Sequence, residues 1–116
     1  MITGAHTIIY TAEPERVRAF FADVLGFPSI DAGHGWLIFA LPPGELAAHP
    51  AQGGAGRQEL YLMCDDLQET MQELRAKGVE FSRPIHEERW GHVTAIRLPD
   101  AGELALYEPK HPLPPR

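Results

Sequence analysis

The chain has 116 residues, 44% of them apolar, and its 16 acidic and 10 basic side chains give a formal net charge of −6. This composition is typical of a soluble globular protein with one core, and the acidic balance argues against nucleic-acid binding, which depends on neutralising phosphates. No apolar run is long enough to span a membrane and no secretory leader is recognisable. The single cysteine, Cys64, precludes an internal disulfide and fits a reducing compartment. We therefore expect a cytoplasmic protein without membrane contact.

The first half of the chain predicts one helix among short strands. A β-branched and aromatic run at 6–10 is typical of a strand. Residues 13–15 begin a helix, because proline is tolerated and carboxylates are favoured in the first turn, and Gly26 fits its C-terminal cap. Three further strands are expected, at 27–30, 36–41 and 45–49.

The second half repeats this order after a side-chain-poor linker at 51–57. A strand at 59–64 precedes a helix that is led by Asp65 and Asp66 and ended by Gly78. Three more strands are expected, at 79–81, 93–98 and 103–107. The helix-ending glycines lie 52 residues apart and the first strands of the two halves begin 53 residues apart. These intervals indicate a duplication, with two similar modules packed as one α+β domain.

Several motifs, in order along almost the whole chain, resemble those of one family. The strand at 6–10 and the segment 20–27 are similar to the opening of the vicinal oxygen chelate superfamily. The sequences at 65–67, 90–91 and 100–102 are similar to that family's second-module helix and closing stretch. The superfamily includes glyoxalase I, extradiol dioxygenases, fosfomycin resistance enzymes and bleomycin-binding proteins.

The resemblance implies a specific architecture. One domain would hold two tandem β-α-β-β-β modules, whose mixed sheets form an open cup, and the protein would usually be a homodimer. The modules would be residues 1–50 and 58–109, followed by a proline-rich tail at 110–116 that we expect to be an arm or a frayed end.

Alternation along the strands predicts which side chains face the cup. Leucines of the strands at 59–64 and 103–107 should pack on the helices, and Cys64 should share their side as an inert thiol. Glu59 and Glu103 should then face the cup. Residues 86–89, before the turn at 90–91, are interpreted as a solvated polar rim. The side chains predicted to line a ligand pocket are Tyr10, Trp36, His49, Tyr61, Met63, Trp90 and Tyr107.

The resemblance also implies at which positions the ligands of a metal site would lie. In metal-dependent members, four strands supply one ligand each; His6 and Glu59 match two of these positions. Ala47 and Ala105 align with the other two and have no donor atom. A catalytic divalent site needs at least three protein ligands and an open position, so the set is incomplete and we expect no cofactor.

A shifted metal site is the alternative. His49, together with Glu108 or Tyr107, would complete the ligands for Zn, Ni, Mn or Fe, although Glu108 would need a β-bulge to face the cup. His6 and Glu59 are the candidate catalytic residues, with His6 as a general base, because imidazoles titrate near neutral pH. The alternative interpretation of His6 is a polar residue that faces a wet cup, and that of Glu59 is a strand-end carboxylate in solvent.

Two functions follow from these observations. The favoured one is a homodimeric binding protein that holds a small organic molecule in an aromatic, acidic-rimmed pocket without a complete metal site. The alternative is a metal-dependent lyase or isomerase of the glyoxalase type, or a dioxygenase, in which the ion would chelate two vicinal oxygens.

Overall fold

A computed structural model describes residues 7–9, 11–44, 47, 59–99 and 102–112. The fold is α+β, as predicted, and these described residues form two main helices and two sheets. In chain order the elements are α1 (Pro14–Ala19), a π-helical turn (Phe20–Val24), β1 (Ser29–Asp31), β2 (Leu37–Phe39), β3 (Tyr61–Met63), α2 (Leu67–Ala76), β4 (Phe81–Glu88), β5 (Gly91–Leu98) and β6 (Gly102–Pro109).

The second module has the predicted β-α-β-β-β order. Its four strands form one sheet in the order β3-β6-β5-β4, where β3 runs parallel to β6 and the other neighbours are antiparallel. A parallel pair needs a crossover, and the path through α2, β4 and β5 provides it between β3 and β6. This open, mixed sheet is the frame that carries the candidate site.

The first module supplies a helix and a two-stranded antiparallel sheet, in which Ile30 opposes Ile38. The strand predicted at 6–10 is not found in its described part: residues 7–9 have no strand structure. Extended backbone becomes a strand only where a neighbour supplies ladder hydrogen bonds, and no described strand pairs with these residues. Ala47, from the strand predicted at 45–49, is also outside any strand, and the rest of that strand lies outside the described residues.

The first helix begins at Pro14 and ends as its sequence predicts. Its last turn is π-helical, and the Leu25 N–H donates to the Phe20 carbonyl at 3.1 Å. Gly26 has φ 71°, a left-handed conformation that glycine adopts without steric cost. The Phe27 N–H then reaches back to the Phe21 carbonyl at 3.0 Å, closing the helix end in the manner of a Schellman motif.

The second helix is capped at both ends by the predicted residues. The Asp66 carboxylate accepts a hydrogen bond from the Glu69 N–H at 3.0 Å, and Gly78 has φ 87° at the other end. The Leu67 N–H donates to the Glu108 carboxylate at 2.8 Å, which ties the helix start to the end of β6. Within the described residues, no helix is long and apolar enough to cross a membrane.

One apolar core lies between the helices and the sheet. Both helices contribute to it, and strands β5 and β6 contribute alternate side chains. Because residues from both halves of the chain belong to this one cluster, the halves are packed together. The buried members are Val17, Phe20, Phe21, Leu67, Met71, Leu74, Val79, Ile96, Leu98, Leu104 and Leu106.

The turn between β4 and β5 brings two backbones into close approach at Gly91. A Cβ placed on Gly91 would lie 2.6 Å from the Glu108 carbonyl oxygen and 3.0 Å from Cδ2 of Tyr107. The first distance is shorter than real Cβ contacts, so only glycine fits without a shift of the β6 backbone. The Trp-Gly motif therefore has a packing role, since Gly91 lets β5 and the Tyr107 ring meet.

Replacing Gly91 with alanine should destabilise the protein by about 1–3 kcal/mol, because the added methyl overpacks the β5–β6 contact. Denaturant unfolding followed by circular dichroism measures the change. Gly44→Ala is the matched control, since a Cβ there meets nothing within 4 Å and should change stability far less. Equal unfolding midpoints for Gly91→Ala and Gly44→Ala would contradict the packing role.

Candidate functional site

The face of the four-stranded sheet opposite the core carries a distinct set of side chains. On β6, Leu104 and Leu106 are buried in the core, so Ala105 and Tyr107 point to the other face, here called the cup face. Pairing places Tyr61 beside Ala105 and Met63 beside Tyr107. The cup face is thus built from β3, β5 and β6 at matched register.

Three aromatic rings, those of Tyr61, Trp90 and Tyr107, meet at this face and are called the aromatic cluster below. Their centroids lie 5.9 Å apart for Tyr61–Trp90, 5.8 Å for Tyr61–Tyr107 and 5.3 Å for Trp90–Tyr107. All three pairs are edge-to-face, the geometry that opposed ring quadrupoles favour. Tyr107 is 8% exposed and Tyr61 is 37% exposed, so the cluster has a buried base and an accessible edge.

The accessible edge of the aromatic cluster has an acidic neighbour. The Tyr61 hydroxyl donates to the Glu59 carboxylate over 3.4 Å. Glu59 is exposed and lies two residues before β3, so the strand predicted to begin at residue 59 begins at Tyr61. This pair places negative charge beside an aromatic surface, the combination that favours a cation over a ring face.

Met63 lies beside an open depression rather than inside the aromatic cluster. It lines an open depression of about 330 Å³, together with Cys64, Asp65, Glu108 and Pro109. Burial raises the pKa of the Cys64 thiol, and nearby carboxylates raise it further. The Cys64 side chain packs against the core and donates weakly to the Tyr107 carbonyl, with Sγ 3.6 Å from the oxygen. A thiol held protonated in this way is a poor nucleophile.

Trp36 is placed away from the contacts that define the aromatic cluster. It lies in the turn between β1 and β2, is 67% exposed, and has the Arg18 guanidinium carbon 5.6 Å from its ring centroid. The structure thus associates this tryptophan with α1 of the first module. Of the other predicted site residues, His6, Tyr10 and His49 lie outside the described residues.

The described residues do not supply the metal ligands that the resemblance implies. Among them, no group of three or more His, Cys, Asp or Glu side chains could hold an ion. Ala47 and Ala105 have no donor atom, and Glu108, the candidate for a shifted site, has its carboxylate on the Leu67 N–H at 2.8 Å. β6 pairs with β5 without a bulge, so nothing turns Glu108 toward the cup face.

An ion pair that was not predicted lies across the sheet. Arg83 of β4 donates to both oxygens of Glu103, Nη2 to Oε1 at 2.7 Å and Nε to Oε2 at 3.1 Å. The Ser82 hydroxyl also donates to Glu103. These hydrogen bonds lower the pKa of Glu103 from 4.5 to about 2. The bond from Arg83 has the largest effect, followed by the bond from Ser82. Register shifts on either side of Arg83 break strict alternation on β4, so periodicity could not have placed Arg83.

The end of the described chain also contributes to this region. The Tyr107 hydroxyl and His111 Nε2 are 3.2 Å apart, and their rings are 6.0 Å apart. The sequence pattern predicts an arm or a frayed end at residues 110–116, but His111 contacts Tyr107 of the aromatic cluster. No periodicity could have shown this, because residue 111 follows the last strand. The charged run at 86–89, in contrast, is exposed as expected.

A mixed sheet that packs its helices on one face and leaves an aromatic cluster on the other is the architecture of a small α+β domain. The chain belongs to the Glyoxalase/Bleomycin resistance protein/Dioxygenase superfamily, whose family profile matches residues 4–111. This confirms the family indicated by the sequence motifs. No curated protein matches significantly.

Solved structures of similar proteins support the fold. TnmS3, an antibiotic binding protein from Streptomyces sp. CB03234, is 22% identical with a TM-score of 0.65, and the alignment covers 95% of this chain and 99% of that one. A superfamily member from Sphaerobacter thermophilus DSM 20745 is 24% identical with a TM-score of 0.61, covering 92% and 98%. Lactoylglutathione lyase from Agrobacterium tumefaciens is 17% identical with a TM-score of 0.65, covering 91% and 92%. At these identities the likeness establishes the fold alone.

Glu103→Gln should make the pH dependence of stability shallower in acid. The lowered pKa of Glu103 means that its charged form stabilises the fold above about pH 4.5, and that this contribution disappears as pH falls toward 2. Urea unfolding of wild type and variant, measured at pH 7 and pH 3, gives the comparison. We expect a difference at pH 7 that shrinks by pH 3. A difference that stays constant across this range would contradict the assignment.

Proposed function

We propose that the protein binds a small, flat organic molecule on the cup face and that the aromatic cluster is its main contact surface. The observation that carries this proposal is the convergence of Tyr61, Trp90 and Tyr107, with centroids 5.3–5.9 Å apart, on the sheet face opposite the core. Aromatic rings with one accessible edge offer a ligand a large apolar contact at low cost in side-chain entropy.

Charge supports a ligand that carries positive charge. The chain has a formal net charge of −6, and Glu59 lies on the Tyr61 hydroxyl at the accessible edge of the cluster. A cation over an aromatic face gains about 0.5–2 kcal/mol, and a neighbouring carboxylate adds to this attraction. The relative TnmS3 is described as an antibiotic binding protein, which agrees with binding rather than turnover.

The domain organisation, the oligomeric state and the cellular location of the protein belong to the same proposal. We infer one domain, composed of modules at 1–50 and 58–109, that forms a homodimer in the cytoplasm. In support of dimer formation, Ile30 and Ile38 oppose each other on the β1–β2 hairpin, and both are exposed. Contiguous exposed apolar surface on a folded protein marks a site of interaction with another molecule when it is extensive. Light scattering at micromolar protein measures the mass directly.

The alternative is a metal-dependent lyase, isomerase or dioxygenase with His6 and Glu59 among its ligands. It requires further metal ligands, and the described residues do not bring them together. Ala105 has no side-chain donor atom, and the Glu108 carboxylate accepts a hydrogen bond from the Leu67 N–H at the start of α2. Two routes therefore separate the functions. One measures ligand binding with a chelator present, and the other measures metal content.

Trp90 provides a direct reporter of binding. The chain has two tryptophans, so Trp36→Phe leaves Trp90 as the single tryptophan, which is excited selectively at wavelengths that tyrosine does not absorb. We expect berberine, a flat aromatic cation, to quench Trp90 emission saturably in the presence of EDTA, and to bind more tightly than the aromatic anion 8-anilinonaphthalene-1-sulfonate. Tyr61→Ala in the same background should weaken berberine binding about 3–10-fold, because one ring contact is lost.

The matched control for this experiment is Leu41→Ala, which removes an exposed apolar side chain that lies outside the aromatic cluster. It should leave the berberine affinity unchanged. Quenching that is equally weakened by both substitutions would show non-specific adsorption. Quenching that disappears when EDTA is added would exclude the metal-free site.

Elemental analysis of untagged protein tests the alternative function. After incubation with Zn, Ni, Mn or Fe and removal of excess ion, we expect well below one ion per chain. Binding near one ion per chain that is lost in both His6→Ala and Glu59→Ala would favour the metal-dependent enzyme instead. The double variant serves as the baseline for adventitious binding by other histidines.

A further inference from the structure

The residues that follow β6 are held at three points, two on the aromatic cluster and one on β4. The Lys110 N–H donates to the Trp90 carbonyl at 2.9 Å, and the Lys110 ammonium lies 2.7 Å from a carboxylate oxygen of Glu87. The third point is the hydrogen bond between His111 and Tyr107. Residues 110–112, called the C-terminal strap below, thus cross the end of the cluster and contact two of its three members.

The hydrogen bonds of His111 define which ring nitrogen carries the proton. Nδ1 lies 2.9 Å from the Pro112 carbonyl oxygen, and a carbonyl can only accept, so Nδ1 carries a hydrogen. In the neutral ring Nε2 is then the acceptor. The Tyr107 hydroxyl, 3.2 Å from Nε2, is therefore the donor in that bond.

This arrangement fixes the orientation of a ring at the centre of the candidate site. Tyr107 is 8% exposed and contacts both Tyr61 and Trp90, so any rotation of its phenol would disturb the other two rings. The strap residue Lys110 is held to Trp90 independently, which keeps His111 above Tyr107. His111 is thus placed to hold the Tyr107 hydroxyl, although no sequence motif links the two residues.

We propose that His111 is a positioning residue of the ligand site: it holds the Tyr107 hydroxyl through Nε2, and the C-terminal strap closes the aromatic cluster at one end. This inference rests on the proposed function, because it assigns His111 a role in binding at the same cluster. It extends the site beyond β6 to the segment that the sequence pattern interprets as an arm.

The first test is spectroscopic and needs no ligand. In protein labelled with ¹⁵N-histidine at pH 8, we expect one of the six imidazoles to be protonated at Nδ1, and its signals to be absent from His111→Gln. Tyr107→Phe should shift the Nε2 resonance of that imidazole because the donated hydrogen bond is lost. Protonation of His111 at Nε2, or an Nε2 resonance unchanged in Tyr107→Phe, would overturn the positioning role.

The second test measures berberine binding to the Trp36→Phe protein. His111→Ala should weaken binding about tenfold, because it leaves the buried Tyr107 hydroxyl without this acceptor. His111→Gln retains an oxygen acceptor and should restore affinity to within about threefold of the reference. The control Arg16→Gln removes an exposed ion pair with Glu13 on α1, outside the strap and the aromatic cluster, and should change affinity less than twofold. Unchanged melting temperatures show that the variants are folded.

The outcomes separate this inference from the proposed function. Normal berberine binding by His111→Ala, or equal loss in His111→Ala and His111→Gln, overturns the role of His111 and leaves the proposed function intact. If berberine does not quench Trp90 in the reference protein, the proposed function fails for a flat cation. The imidazole spectra then decide the His111–Tyr107 bond alone.

Discussion

Strand β6 is the element on which both the core and the candidate site depend, because it is hydrogen-bonded on both edges and its side chains alternate between two environments. Leu104 and Leu106 enter the core, while Ala105 and Tyr107 face the cup. A slip of one residue in its register would exchange these sets, exposing two leucines and burying a phenol among helices. The pairing of β6 with β3 and β5 therefore positions the aromatic cluster and the hydrophobic core by the same hydrogen bonds.

The aromatic cluster forms because two backbones can approach each other at a single glycine. Gly91 lies against the Glu108 carbonyl and the Tyr107 ring, where a methyl group would not fit. The preceding residue, Trp90, then turns its ring onto Tyr107 with centroids 5.3 Å apart. The same turn accepts the hydrogen bond from Lys110, so the strap and the cluster share one anchor. The close backbone approach at Gly91 is therefore needed both for the packing of β5 on β6 and for the aromatic cluster.

Carboxylates in this protein have distinct roles that their sequence positions only partly reveal. Glu108 stabilises the start of α2, where the exposed N–H groups and the helix dipole favour negative charge. Glu103 is held by Arg83 across the sheet, whereas Glu59 accepts from the Tyr61 hydroxyl at the cup edge. Of these three, Glu59 is the one beside the aromatic cluster. Glu108 Oε1, in contrast, serves the start of α2.

Local signals in the sequence determined the helix ends, the order of elements in the second module, the alternation of β3 and β6, and the family. These features depend on neighbours a few residues away: Asp66 caps its own helix, and Gly26 and Gly78 adopt the left-handed conformation that ends one. The tertiary structure alone decided the rest. The bulges of β4 place Arg83 on Glu103, and the hairpin turn places Trp36 by Arg18. The return of the chain after β6 places His111 on Tyr107. Contacts made by register shifts and by chain return depend on packing across the whole sheet rather than on local periodicity, so the sequence pattern does not reveal them.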